Sequence, residues 1–226
     1  MGLKLFAVKH EAEHDRFDYY PANNIYGYKN DNGKVVIEAQ YTNATEFVEG
    51  FALVQKYGSV YLLNEKNPKD AVQIFNVDND ANFVPFHNGI ALISGGQYKG
   101  YKLAMIDKKG EFVTDYIFSN YNQVQISDLK TMVKLVQENG SNVLNWANPN
   151  LLASKSNQEY IKIALKNYLK ANAGKYIANS NEVGFINLVE KEKETMQNIF
   201  NEKINSIIKE NTTSCLYFGI VDEIIK

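Results

Sequence analysis

Along the first two-thirds of the chain, apolar and polar residues alternate in short runs broken by Asn-Gly, Lys-Gly and Gly-Gly. A period of two places alternate side chains on opposite faces of an extended chain, so this region predicts β-strands. Val36, Ala39 and Tyr41 bracket polar partners, whereas Phe51-Ala52-Leu53-Val54 is apolar throughout and predicts a strand buried on both faces. Asn32-Gly33 suits a tight hairpin turn, because both residues tolerate positive φ. Near Asn150 the pattern changes, and Lys, Glu, Asn and Ile fall at helical spacing. Ser156-Asn157-Gln158-Glu159 has the form of a capping box ahead of Tyr160, Ile161, Ala164, Leu165, Tyr168 and Leu169, with Gly174 as the expected stop. A longer helix is predicted from the stripe Phe185, Ile186, Val189, Met196, Ile199, Phe200, Ile204, Ile207 and Ile208, ending at Asn211-Thr212-Thr213. Cys215 to Val221 is too short to assign by period and reads as a strand or a buried helical turn. The expectation is an α+β protein: an antiparallel β-repeat domain over residues 1–149 and a helical C-terminal segment over 150–226.

The β part repeats itself. Phe47-Val48-Glu49-Gly50-Phe51-Ala52-Leu53-Val54 returns 39 residues later as Phe86-His87-Asn88-Gly89-Ile90-Ala91-Leu92-Ile93. Tyr28 to Ile37, with its Asp31-Asn32-Gly33-Lys34 turn, returns at roughly twice that offset as Ala104 to Val113, with Asp107-Lys108-Lys109-Gly110. A third echo pairs Tyr57-Gly58-Ser59 with Asn139-Gly140-Ser141, and Leu3 to Val8 after Gly2 looks like the same strand at the N-terminus. One strand-turn-strand unit cannot bury its apolar face alone, whereas several stacked units share a core.

These residues resemble the bacterial WG-repeat family, also called KWG repeats. Its units run Trp-Gly-Tyr-Ile-Asp, a Gly-Lys turn, Ile-Pro, Tyr-Asp-x-Ala and Phe-x-x-Gly-Leu-Ala-x-Val. Tyr26-Gly27-Tyr28, Asn32-Gly33-Lys34-Val35-Val36-Ile37, Gln40-Tyr41, Ala44 and Phe47 to Val54 make one nearly complete unit. Later units are degenerate: Lys99-Gly100-Tyr101 and Gly140-Ser141 stand where Trp-Gly is expected, and the sole tryptophan, Trp146, falls outside that slot. The resemblance covers about the first 150 residues and implies an antiparallel β array serving as a binding or interaction scaffold, sometimes near bacterial toxin systems. It implies no catalytic residues, because the family's recurrent positions are turn glycines and packing aromatics.

Composition narrows the functional classes. With 226 residues and 45% hydrophobic content the chain can build a real core. A formal net charge of -2 and a single arginine, Arg16, speak against a nucleic-acid reader or a binder of anionic membrane. One cysteine, Cys215, can form neither an internal disulfide nor a thiolate zinc cage. No signal peptide or membrane span is legible, so a cytoplasmic protein is expected.

Few constellations carry chemistry. His10-Glu11-Ala12-Glu13-His14 is a literal H-E-x-x-H, in which two histidines one helical turn apart hold zinc while the glutamate activates water. The alternative reading as a zinc hydrolase using His10, Glu11 and His14 rests on it. Against a helix stands the strand-like Leu3 to Val8 before it and Pro21 soon after, which favour a solvated insertion. Gly95 to Gly100 lacks the spacing of a phosphate loop and reads as a hairpin turn. Cys215, among Leu216, Tyr217 and Phe218, reads as an inert thiol.

Tyrosine is the conspicuous residue, with 15 copies alongside 12 phenylalanines. Tyr19, Tyr20, Tyr26 and Tyr28 cluster in sequence with Glu11, Glu13, Asp15 and Asp18, a combination that makes a protein-binding surface for a basic partner, unless the tyrosines pack the repeat core. The expected function is a non-enzymatic protein-binding module without cofactor, of the immunity type that neutralises a basic toxin domain.

Overall fold

The computed structural model describes the backbone of residues 2–10, 13–14, 19–20, 23–76, 81–95, 99–179 and 182–218, and the side chains of 2–9, 24–76, 81–95, 99–175 and 185–210. The chain divides into two compact units, Met1–Val124 and Gln125–Lys226. The first is built of antiparallel strands and the second of helices, the α+β class expected.

The strands of the first unit are β1 (Leu3–His10), β2 (Glu13–His14), β3 (Tyr19–Tyr20), β4 (Asn23–Asn30), β5 (Val35–Tyr41), β6 (Asn43–Ala44), β7 (Phe51–Lys56), β8 (Ser59–Asn64), β9 (Asn67–Asn76), β10 (Phe83–His87), β11 (Ile90–Ser94) and β12 (Leu103–Asp107). They form sheets in the orders β1-β4-β5, β6-β7-β8-β9 and β10-β11-β12, with β2 and β3 as a separate pair. The alternation along β7 explains the stacking. Ala52 and Val54 join Tyr28, Ile37, Tyr41 and Leu63 in one core cluster, while Leu53, on the opposite face, joins Val60, Leu62, Phe86, Ala91, Ile93 and Ile106 in another. The β7-β8 sheet is therefore buried on both faces, as its continuous apolar run predicts.

Two of the three echoes are realised as repeated turns. Glu49 and Gly50 have φ of 54° and 82°, and Asn88 and Gly89 have 50° and 81°, two positive values in succession as a type I′ turn requires. In the other pair, Asn30 Oδ1 accepts from the amides of Asn32 and Lys34 at 3.1 and 3.0 Å. Asp107 Oδ1 accepts from Lys109 and Glu111, both at 2.9 Å. The hairpin between β8 and β9 uses the same device, Asn64 Oδ1 accepting from Lys66 N at 3.0 Å. Asn30, Asn64 and Asp107 thus mark one position of three successive units, of which the middle one escaped the sequence comparison. Gly95 and Lys99 to Lys102 belong to the link between antiparallel β11 and β12, a hairpin connection as expected.

The second unit contains α1 (Leu129–Asn139), a 3₁₀ turn (Ser141–Trp146), α2 (Pro149–Ala153), α3 (Lys155–Asn179) and α4 (Glu182–Phe218). Asp128 caps α1 by accepting from Thr131 N at 2.7 Å, and Met132, Leu135 and Val136 bury one stripe of it. Helix therefore begins well before Asn150, and the supposed echo Asn139-Gly140-Ser141 is a helix end: Gly140 N donates to Val136 O, and Ser141 donates from both its amide and its hydroxyl to Glu192. The predicted capping box serves a different purpose, since Asn157 and Gln158 donate to the carbonyls of Leu151 and Leu152 at the end of α2. Helix α3 runs through Gly174, and α4 runs through Asn211-Thr212-Thr213 to Phe218, so neither expected stop ends a helix. Of the predicted stripe, Met196, Ile199 and Phe200 are buried, whereas Ile186 and Ile208 are exposed. Among the described residues no helix is long and apolar enough to cross a membrane.

Candidate functional site

The sequence-predicted residues separate into core, strand and undescribed positions. Tyr26 and Tyr28 stand two apart on β4 and so share one face, which points inward. Tyr28 is wholly buried, its hydroxyl donates to Thr45 O at 2.7 Å, and its ring meets Phe47 edge-on with centroids 4.8 Å apart. Burial pushes its phenol far above the ordinary range, helped by Tyr41 and Glu46, so it stays neutral. Tyr26 packs half-buried against the same cluster. Tyr28 therefore belongs to the repeat core, with Tyr26 packed at the edge of it. Glu13 and Tyr20 are paired across β2 and β3, as are His14 and Tyr19, with their side chains outside the described residues; Glu11, Asp15 and Asp18 lie wholly outside them.

The zincin reading needs a helix that sets His10 and His14 one turn apart on a single face. His10 instead closes β1 and His14 stands in β2, both with extended backbone, so the helical form of the motif is not realised. Among the described residues no group of three or more His, Cys, Asp or Glu is placed to hold a metal ion. Cys215 lies in α4, its side chain outside the described residues.

What the fold does create is a cleft of about 620 Å³ between β5 and β9. From β5 come Val36, Ile37, Glu38, Gln40 and Tyr41; from β9 come Pro68, Lys69 and Ala71; Lys56 and Tyr61 complete the lining. Both flanking strands are sheet edges, since among the described residues β5 is paired only with β4 and β9 only with β8. Pro68, which has no amide hydrogen to donate, sits on such an edge as expected. Lys56 Nζ donates to Gln40 Oε1 at 2.6 Å and lies 5.0 Å from the centre of the Tyr57 ring. Tyr41 is buried, and desolvation together with Tyr61 raises its phenol pKa, so it offers a neutral hydroxyl. The cleft presents mixed charges, hydroxyls and two strand edges, which suits recognition of an extended polypeptide.

Sequence reasoning missed this site because no single segment encodes it. It also missed which aromatics are exposed: Tyr57, 89% accessible, Tyr101 and Tyr121. For Tyr57 a signal existed, because it precedes Gly58 in a turn where both residues have positive φ, and turn tips project outward.

No curated protein and no solved structure matches the chain. Residues 26–59, from β4 to the start of β8, match the family model of the WG containing repeat, and the N-terminal part of this chain accordingly carries a repeat of that family.

Proposed function

We propose that this protein is a non-enzymatic protein-binding module that takes an extended segment of its partner between β5 and β9. The observation that carries this reading is the cleft itself, bounded by two strands each paired, among the described residues, on one side only. Main-chain bonding to such edges supplies affinity, while the side chains of alternate residues supply selectivity. The recurrent residues of the repeat are engaged in architecture: Asn30, Asn64 and Asp107 hold turns, and Glu49-Gly50 and Asn88-Gly89 reverse the chain. A basic toxin domain is the partner class we favour, by charge complementarity with Glu11, Glu13, Asp15 and Asp18, and neutralising it would make the protein an immunity factor.

A photo-crosslinking amino acid placed at Gln40 or Lys69 tests the site in the cells that make the protein. Adducts to one partner are expected from both positions and not from Lys4, a solvent-facing control on β1. Adducts from Lys4 alone, or from no position, overturn the reading.

A further inference from the structure

The helical unit carries its own groove, of about 630 Å³, between α3 and α4. Its floor is apolar: Leu165 and Leu169 from α3, and Phe185, Val189 and Met196 from α4. Its rim is cationic. Lys162, Lys166 and Lys170 follow one another a turn apart along α3, about 6 Å per step, and Lys193 stands on the α4 side. Only Lys162 has an acidic partner there, Glu159 at 2.7 Å. Lys166, Lys170 and Lys193 make no ion pair among the described residues. Helix α3 as a whole contains five lysines and a single acid.

We propose that this groove docks an acidic amphipathic helix of a partner protein, independently of the cleft in the β unit. A trough between two helices accepts a third whose apolar residues recur at three- and four-residue spacing. Carboxylates four residues apart on that helix repeat at the same pitch as Lys162, Lys166 and Lys170. Covering the apolar floor also lowers the local dielectric at the rim, which strengthens each carboxylate-lysine attraction and sets the orientation of the incoming helix.

The test is fluorescence anisotropy on the full chain with a labelled helical peptide of about five turns, carrying Leu at i, i+3, i+4 and i+7 and Glu on its remaining faces. A second peptide keeps the leucines and replaces every Glu by Lys. Saturable binding of the Glu peptide, weakening with added salt, is the expected result. In Lys166→Glu/Lys170→Glu, two exposed changes whose folding is checked by circular dichroism, affinity for the Glu peptide falls about tenfold and the Lys peptide becomes the better ligand. Equal binding of both peptides, no binding of either, or an unchanged preference in the charge-reversed variant overturns the proposal. So does concentration-dependent self-association that the Glu peptide does not displace, which would make a second copy the occupant. Binding to anionic vesicles without binding to the peptide overturns it as well.

Discussion

The carboxylate of Glu49 accepts the backbone amide of Gly89 at 2.9 Å, tying the turn of one repeat to the matching turn of the next. The other carboxylate oxygen accepts from Asn88 N at 2.6 Å, and Lys108, from the unit after that, approaches to 2.9 Å. A single side chain thus joins three successive units at the point where each needs its backbone reversed. Burial raises the pKa of this carboxyl, but the bonds from Lys108 and Gly89, the charge of Lys108 and the bond from Asn88 outweigh it, and the net shift is downward.

Replacing Glu49 by Ala is expected to cost about 2 kcal/mol of unfolding free energy, since two amides and an ammonium lose a charged acceptor together. Glu49→Gln, which keeps one acceptor, costs less. Because the folded-state pKa is depressed, the contribution is fully present above the unfolded value of about 4.3 and disappears as pH falls through the folded one. Urea denaturation at pH 7 and at successively lower pH should therefore show the gap between wild type and Glu49→Gln narrowing in acid. A gap that widens on acidification contradicts this assignment.

Glu49 also marks the limit of what was legible in the chain. The echo that contains it was visible because turn geometry restricts residue choice locally, and Gly50 and Gly89 betray it. The bond from Glu49 to Gly89 was not, because stacking rather than spacing brings the two turns together. Helix α1 was missed for a different reason: its cap Asp128 and its stripe Met132, Leu135 and Val136 were present in the sequence, but Asn139-Gly140-Ser141 resembled a hairpin turn. Tyr28 shows a third limit, since a tyrosine serves equally well inside and outside, and only its strand face decides which. The cleft and the helical groove depend on strand order and helix pairing, which composition does not encode.

Gly27 and Gly174 should respond to alanine with opposite signs. Tyr26 pairs with Tyr41 and Tyr28 with Ile37, so Gly27 alone faces the stretch Glu38 to Gln40 of β5. A Cβ on Gly27 would lie 2.6 Å from Ile37 O and 2.7 Å from Ala39 N, backbone atoms that cannot step aside singly. Gly27→Ala is expected to destabilise the β unit by about 3 kcal/mol or more. Gly174 is exposed within α3 with nothing inside 4 Å, and Gly174→Ala should stabilise by roughly 0.5–1 kcal/mol. Thermal melts of the two variants check both signs.

Asp107 is buried, yet its role is that of half-buried Asn30: one Oδ1 that accepts two turn amides. Nothing in that geometry needs the negative charge. Asp107→Asn should keep most of the stability, whereas Asp107→Ala, which leaves two amides without their acceptor, should cost about 1–3 kcal/mol. Equal losses in the two variants would show that charge rather than the acceptor atom matters.

Removing one buried hydroxyl oxygen from each of two tyrosines should move stability in opposite directions. Tyr28 donates to Thr45 O, so Tyr28→Phe deletes a made bond, orphans a buried carbonyl partner and should cost about 1 kcal/mol. The hydroxyl of Tyr116 is buried with no hydrogen-bond partner among the described residues, its ring resting against Phe75 and Phe112 with centroids 6.2 and 5.7 Å away. Burial alone pushes its phenol up to about 12. Desolvating a hydroxyl without compensation is unfavourable, so Tyr116→Phe removes a burden and should raise the urea midpoint by the equivalent of up to about 1 kcal/mol. A loss in Tyr116→Phe as large as that in Tyr28→Phe would mean that the Tyr116 hydroxyl is bonded in solution, and the aromatic cluster around it would have to be repacked to supply the acceptor.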